Sequence, residues 1–409
     1  MPKPKPAEEI TLGPWPKGMN NRQPDYALPA GTLRNAVNAD FDQIGFARRR
    51  RGYSKVYSGL NTHSGFSCAA GEFFVEAGAL KQLNADNTAT TIHRGLTGTQ
   101  TAYEYFDGVV YFSDGVSTGK ITNGIVTPWG MNPPAAPKLL TLSGSYGPGT
   151  YMAAVTAVDA TGREGGASDV TTMQAGDNTG IRFYDLPSAT ALRLYLSAPN
   201  GTTLYLVAEV PAGTISHTLL AGRYDNGKPL DTQFVSKPPP GRIIKHHKAR
   251  MYVADGTTLW YTDPYALDRV RLSENFFQFP KLISIVEPTD KGMWVVADKT
   301  YFFRGDGPET FVQETKLGYG AVFGTASRVP NTTDVMWYSD RGAVMGTQGG
   351  EVSNMQEANV ASESGSSGAS LARDKDGIQQ FIASIKDPVV SPLVAQSFFS
   401  AEVIRKAAP

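Results

Sequence analysis

The chain of 409 residues contains a single cysteine, Cys68, which rules out an intrachain disulfide and a cysteine-based zinc site. A disulfide-stapled secreted scaffold is therefore excluded, and folding in a reducing cytoplasm is expected. No apolar run approaches the roughly 18 residues that a membrane-spanning helix needs, so no integral membrane segment is expected. The opening MPKPKPAEEI carries lysines with no apolar stretch behind them, which argues against a signal peptide or a lipid anchor. A surplus of either charge is missing as well. Lys plus Arg and Asp plus Glu both number 38, giving a formal net charge of zero, so composition implies no general grip on nucleic acid.

Histidine is scarce, with five in the chain. His246 and His247 are adjacent, and neighbours on a strand face opposite ways, which disfavours shared metal chelation. His63, His93 and His217 are isolated, and none accompanies a nucleophile elbow or a zinc signature. No catalytic residue, cofactor site or metal site is expected.

What the chain has in quantity is glycine (43), proline (27), tyrosine (18) and phenylalanine (19), within a composition that is 41% hydrophobic. That mixture suits short strands joined by tight turns around real cores, and it points to an all-β fold. An internal repeat gives the fold a form. VYFSDG, MYVADG, VVADK and WYSDR each join a short apolar strand to a turn aspartate and a second strand. These aspartates are Asp114, Asp255, Asp298 and Asp340, read as structural turn residues whose carboxylates close hairpins. The last three are spaced by 43 and 42 residues, the length of one four-stranded propeller blade. A degenerate hairpin lies around Gly78 and a further strand follows Asp376, so five or six blade-like units are expected.

The interval from Asp114 to Asp255 is 141 residues, which leaves about 99 after one period of about 42 is removed. Proline-stiffened linkers, NPPAAP and KPPPG, flank the excess, and alternating strands fill it. The expected division is an N-terminal arm (1–17), a propeller-like body in two parts (18–132 and 241–409), and an inserted immunoglobulin- or fibronectin-like β-sandwich (133–240). The tract ASESGSSGAS at 361–370 is expected to be a flexible loop, and a short C-terminal helix is expected from Pro392.

Three stretches resemble known families. YMAAVTAVDATGREGGAS and LRLYLSAPNGTTLYLVAEV resemble fibronectin type III-like modules, in particular those embedded in phage tail proteins. GMNNRQPDYALPAGTLRNAVNADFDQIGFARRRRGYSKV (18–56) looks like the opening of phage virion structural proteins, in which a G-[MI]-N start leads through L-P-x-G-x-L-R and N-[AV]-D to R-R-x-G-[YF]. This chain extends the arginine pair to four. GRIIKHHKARMYVADGTTLWYTDP, with GMWVVADKTYFFRGDGP and DVMWYSDRGAVMG, is similar to tail nozzle or hub proteins of short-tailed phages.

The resemblance implies a virion protein, assembled in the host bacterial cytoplasm, that forms a homo-oligomeric ring, a hexamer in that family. The ring would continue the DNA exit channel below the portal and the head-to-tail adaptor protein and support genome retention and ejection, with tail fibres or a tail needle or plug as further partners. DNA would pass without sequence-specific binding, which suits a neutral chain better than a strongly basic one. Arg48, Arg49, Arg50 and Arg51 are candidates for subunit contact or for the DNA channel, although a strand turns at most two of the four toward one ligand. Two other readings stay open: a tail-tube or distal-tail component of a long-tailed phage, and a carbohydrate-binding or sugar-cleaving propeller using turn carboxylates.

Overall fold

The computed structural model describes residues 13–37, 39–42, 44–50, 52, 54–222, 227–375, 378–387 and 389–390. The protein is all-β, and among the described residues the only helical element is the single 3-10 turn Asp25–Ala27. The expected N-terminal arm and C-terminal helix fall largely or wholly outside the described residues. Two compact units form. One combines the chain up to Ser58 with the chain from Phe279 onward, and the other is Gly59–Gln278. The division therefore falls inside the repeat region and not at the ends of the insertion.

Five antiparallel four-stranded sheets carry the repeat. In the Gly59–Gln278 unit the first sheet runs from Thr62–Cys68 to Ala89–Arg94, the second from Ala102–Phe106 to Ile125–Thr127, and the third from Ile243–His247 to Phe276–Gln278. In the other unit the fourth runs from Ile285–Thr289 to Val312–Leu317 and the fifth from Ser327–Arg328 to Val352–Asn354. Sheets three to five begin at residues 243, 285 and 327, an even step of 42.

The second strand of each sheet explains the apolar runs that mark the repeat. Val109–Ser113 is buried on both faces. Val110 and Phe112 join a core with Phe73, Val75 and Leu80 of the first sheet, while Tyr111 packs with Trp129 and with Ile244, Met251 and Val253 of the third. A strand covered on both sides has no solvent face, so it reads as a continuous hydrophobic run without alternation. The fourth and fifth sheets meet in the same way through Trp294, Phe302, Trp337 and Val344. Trp294 and Trp337 lie 5.5 Å apart, and a Cβ at Gly346 would come within 2.6 Å of Trp294, so this position admits only glycine without repacking.

Between the second and third sheets lies a two-sheet sandwich. One sheet orders the strands Lys138–Tyr146, Thr179–Tyr184 and Ser216–Leu219. The other centres on Gly149–Val158, paired to Ala191–Ser197 on one side and to both Glu164–Ala167 and Thr171–Ala175 on the other. Val155, Leu194 and Leu196 of one sheet meet Ile181 and Phe183 of the other in a closed core. The chain leaving the sandwich lies back along Leu204–Val210, where Leu206 N–H donates to the Lys228 carbonyl at 2.9 Å and Leu230 N–H to the Leu204 carbonyl at 2.8 Å.

One expectation is corrected. The Ser/Gly-rich tract at 361–370 is not a loop throughout, because Glu363–Ser364 forms a strand with Val389–Val390 and Ser367–Lys375 pairs along its length with Ile378–Lys386. Gly368 explains the difference: its N–H donates to the Phe323 carbonyl at 2.8 Å, and a Cβ there would meet the Ser384 carbonyl oxygen at 2.4 Å. Small residues are what this close backbone approach requires, and composition alone registers them as flexibility.

Candidate functional site

The segment that resembles the opening of virion proteins folds, where described, into a small hydrogen-bonded module. Met19 forms a parallel bridge to Leu33, with Asn20 N–H donating to the Leu33 carbonyl and Leu33 N–H to the Gly18 carbonyl, both at 2.8 Å. The G-M-N start and the L-R of the motif are therefore backbone partners. Asn20 is buried; its Oδ1 accepts from the N–H groups of Arg22 (3.1 Å) and Gln23 (3.2 Å), an asparagine-closed turn. Arg34 donates to the Gln23 carbonyl and faces Asp25 at 3.5 Å.

A hairpin follows, Ala39–Phe41 against Ala47–Arg49, whose turn is held by Asp42 Oδ1 accepting from Ile44 N–H (3.0 Å) and Phe46 N–H (2.9 Å). Gly45 in that turn has φ +89°, and a Cβ on it would sit 2.5 Å from Pro16 N; Trp15 N–H donates to the Gly45 carbonyl at 2.8 Å. Side chain and conformation alike demand glycine here.

The module is clasped to the far end of its own unit. Asn21 N–H donates to the Asn359 carbonyl at 3.0 Å, Ala361 N–H donates to Asn21 Oδ1 at 2.6 Å, and Arg22 Nε donates to the Val360 carbonyl at 3.1 Å. Nothing in NVAS at 359–362 announces this role in the sequence; Asn21 and Arg22 on the N-terminal side supply side-chain partners.

Of the arginine run, Arg48, Arg49 and Arg50 are exposed. Arg48 stands opposite Asp40 in the ladder, and Arg50 Nε pairs with Asp40 Oδ1 at 3.0 Å. Arg51 lies outside the described residues. Large apolar side chains in the same segment of sequence are exposed: Tyr26 is 93% exposed and Val37 76%, and Ile44, Phe46 and Val56 are exposed as well.

The four turn aspartates occupy the same place, the connection between the second and third strands of sheets two to five, but not the same environment. Asp114 is buried. Its carboxylate accepts from Thr97 N–H (2.7 Å) and Thr97 Oγ1 (2.9 Å), and from the N–H groups of Val116 (3.0 Å) and Ser117 (2.6 Å). Burial pushes its pKa up, but these donors outweigh burial and hold the carboxyl below its ordinary value. Asp298 accepts from Tyr301 Oη at 2.9 Å, while Asp255 and Asp340 are exposed. Turn closure accounts for Asp114 fully. Among the described residues no group of three or more His, Cys, Asp or Glu side chains is arranged to hold a metal.

A cleft of about 950 Å³ opens in the Gly59–Gln278 unit, between the Asp107 turn of the second sheet, the sandwich loop at 159–163, and the His246 and Tyr265 regions of the third sheet. His246 and His247 diverge as a strand requires. His247 is buried, and His246 stacks on Phe106 with ring centroids 3.6 Å apart and planes 19° off parallel. Burial lowers the His246 pKa, so the ring is neutral at pH 7. The sequence disfavours shared metal chelation by the histidine pair and does not mark this cleft, whose walls come from segments that are distant in the chain.

The fold and site thus define an all-β protein with repeated four-stranded sheets, an inserted sandwich and a hydrogen-bonded N-terminal module. No protein-family model matches the chain, and no curated protein matches it in sequence. Among solved structures, the extracellular domain of a putative one-component system from B. thetaiotaomicron aligns with 81% of this chain and 60% of its own length, at 11% identity and a TM-score of 0.25. The chain therefore spans less than two thirds of that structure, and a likeness at this level carries no argument about function.

Proposed function

We propose that this chain is a structural virion protein that assembles into an oligomeric ring, the nozzle or hub of a short-tailed phage tail, with six copies as the family resemblance implies. In this reading the ring continues the DNA exit channel below the portal and adaptor, and its work is geometric: it holds a passage open, lets DNA slide and supports retention and ejection of the genome. The observation that carries the reading is the N-terminal module. The residues that resemble the opening of virion proteins build a hydrogen-bonded module, and they expose Tyr26, Val37, Ile44, Phe46 and Val56 together with Arg48, Arg49 and Arg50. Exposed apolar side chains together with exposed arginines suit a subunit interface, and a second copy of this chain is its partner.

The zero net charge supports the channel role, since a strongly basic wall would retain phosphates. Electron microscopy of the purified full chain tests the proposal. Closed rings around a central channel are the expected result; separate single copies at micromolar concentration would overturn it.

A further inference from the structure

We propose that the cleft between the Asp107 turn, the sandwich loop and Tyr265 is a binding site for a short oligosaccharide. This goes beyond the ring reading and does not depend on it, since every wall of the cleft belongs to the Gly59–Gln278 unit.

Two aromatic side chains stand where core packing does not need them. Tyr265 is 90% exposed, although its backbone takes φ +59°, a conformation that a bulky residue rarely adopts. The strain is held in place by Tyr265 N–H donating to the Ala249 carbonyl at 2.9 Å and by the bridge between Asp263 and Ala266. A left-handed turn position normally goes to Gly, Asn or Asp; spending it on an exposed tyrosine is accounted for by a use for the ring. Phe106, 36% exposed, offers a second flat face, backed by the neutral ring of His246 stacked beneath it. Sugar rings present apolar C–H faces and polar edges, so they take flat aromatic platforms ringed by hydrogen-bonding groups.

Those groups are present. Asp107, also at positive φ (+49°), and Lys120 line the cleft with the hydroxyls of Thr122 and Thr161, and Arg163 stands on the sandwich side. Asp159 has a different job. Its Oδ1 accepts from Thr161 N–H (2.8 Å), Thr161 Oγ1 (2.6 Å) and Arg163 N–H (3.0 Å), which fixes the loop that carries Arg163. A carboxylate so engaged is not offered as a general acid or base, which leaves Asp107 without the second free carboxylate that glycoside cleavage uses, so the geometry points to binding without cleavage. Charges of both signs on the walls disfavour a polyanion such as DNA, and a volume of about 950 Å³ suits a ligand of a few sugar rings.

The test uses the full chain on an array of bacterial surface glycans, lipopolysaccharide and capsule fragments included, followed by calorimetry with the strongest binder. Tyr265→Asn removes the ring while keeping a residue that favours the left-handed backbone, and Asp107→Asn does the same for the carboxylate, so both variants keep the fold. The expected result is binding at micromolar to sub-millimolar concentration, weakened at least about tenfold by Tyr265→Asn and several-fold by Asp107→Asn. No glycan bound below millimolar concentration, or affinity unchanged in both variants, would overturn the proposal. Particle mass measured on the same variants keeps the outcome separate from the ring reading, because neither substitution touches the N-terminal module.

Discussion

At the scale of single residues, Asp114 shows how a turn aspartate turns into a stability determinant. Four donor groups converge on one buried carboxylate, and Asp114→Ala would strand the Thr97, Val116 and Ser117 N–H groups together. A loss of about 2–4 kcal/mol is expected, measured as a drop in the urea midpoint at pH 7. Because the folded-state pKa is depressed below the ordinary aspartate value of 3.8, the stabilisation is fully present above that value and fades as pH falls through the lower folded value. Wild-type stability should therefore drop more steeply below pH 4 than that of Asp114→Asn; parallel pH profiles would count against the assignment. The sequence made Asp114 legible as a turn residue because local turn chemistry is written locally. It did not reveal that Asp255 and Asp340 are exposed while Asp114 is buried, since Thr97 and its partners arrive from a loop that no repeat motif marks. Glu164 was less legible still. GREGGAS looks like a polar strand exit, yet Glu164 is buried and accepts from Thr156 Oγ1 (2.7 Å), Tyr195 Oη (2.6 Å) and Arg193 (2.8 Å). Arg193 and Tyr195 lie on a strand that pairing brings in from 29 and 31 residues away, and Thr156 from 8.

At the scale of elements, the repeat is readable because the second strands of sheets two to four are buried on both faces and so appear as apolar runs followed by Asp and a turn, while Val335–Ser339 of the fifth alternates buried and half-buried residues. The 42-residue step survives in the strand starts of sheets three to five. The Ser/Gly tract at 361–370 misleads for the opposite reason, since small residues serve both loops and close backbone approach, and only the position of Phe323 and Ser384 decides between them. The same logic makes Gly346 a sharp probe of sheet stacking. Gly346→Ala drives a methyl group into Trp294 and Trp337 and should cost about 1–3 kcal/mol, with a change in tryptophan fluorescence as the pair is displaced. A variant as stable as the wild type would mean that the fourth and fifth sheets do not stack through these rings.

At the scale of the whole molecule, the N-terminal module decides the account. Its pattern was visible in the sequence as a resemblance, but its physical content was not: the clasp onto residues 359–361 and the exposure of Val37 and Ile44 require the folded chain. Val37→Asp and Ile44→Asp place charges on that surface without touching any core. They should leave the thermal midpoint of an isolated copy nearly unchanged and shift assembly toward smaller species, seen by light scattering across a dilution series. Unaltered assembly in the double variant would move the subunit interface elsewhere. The most direct test of the central claim is native mass spectrometry of the purified full chain: the account predicts one dominant closed oligomer, six copies of 43.9 kDa, and a persistent monomer at micromolar concentration would contradict it.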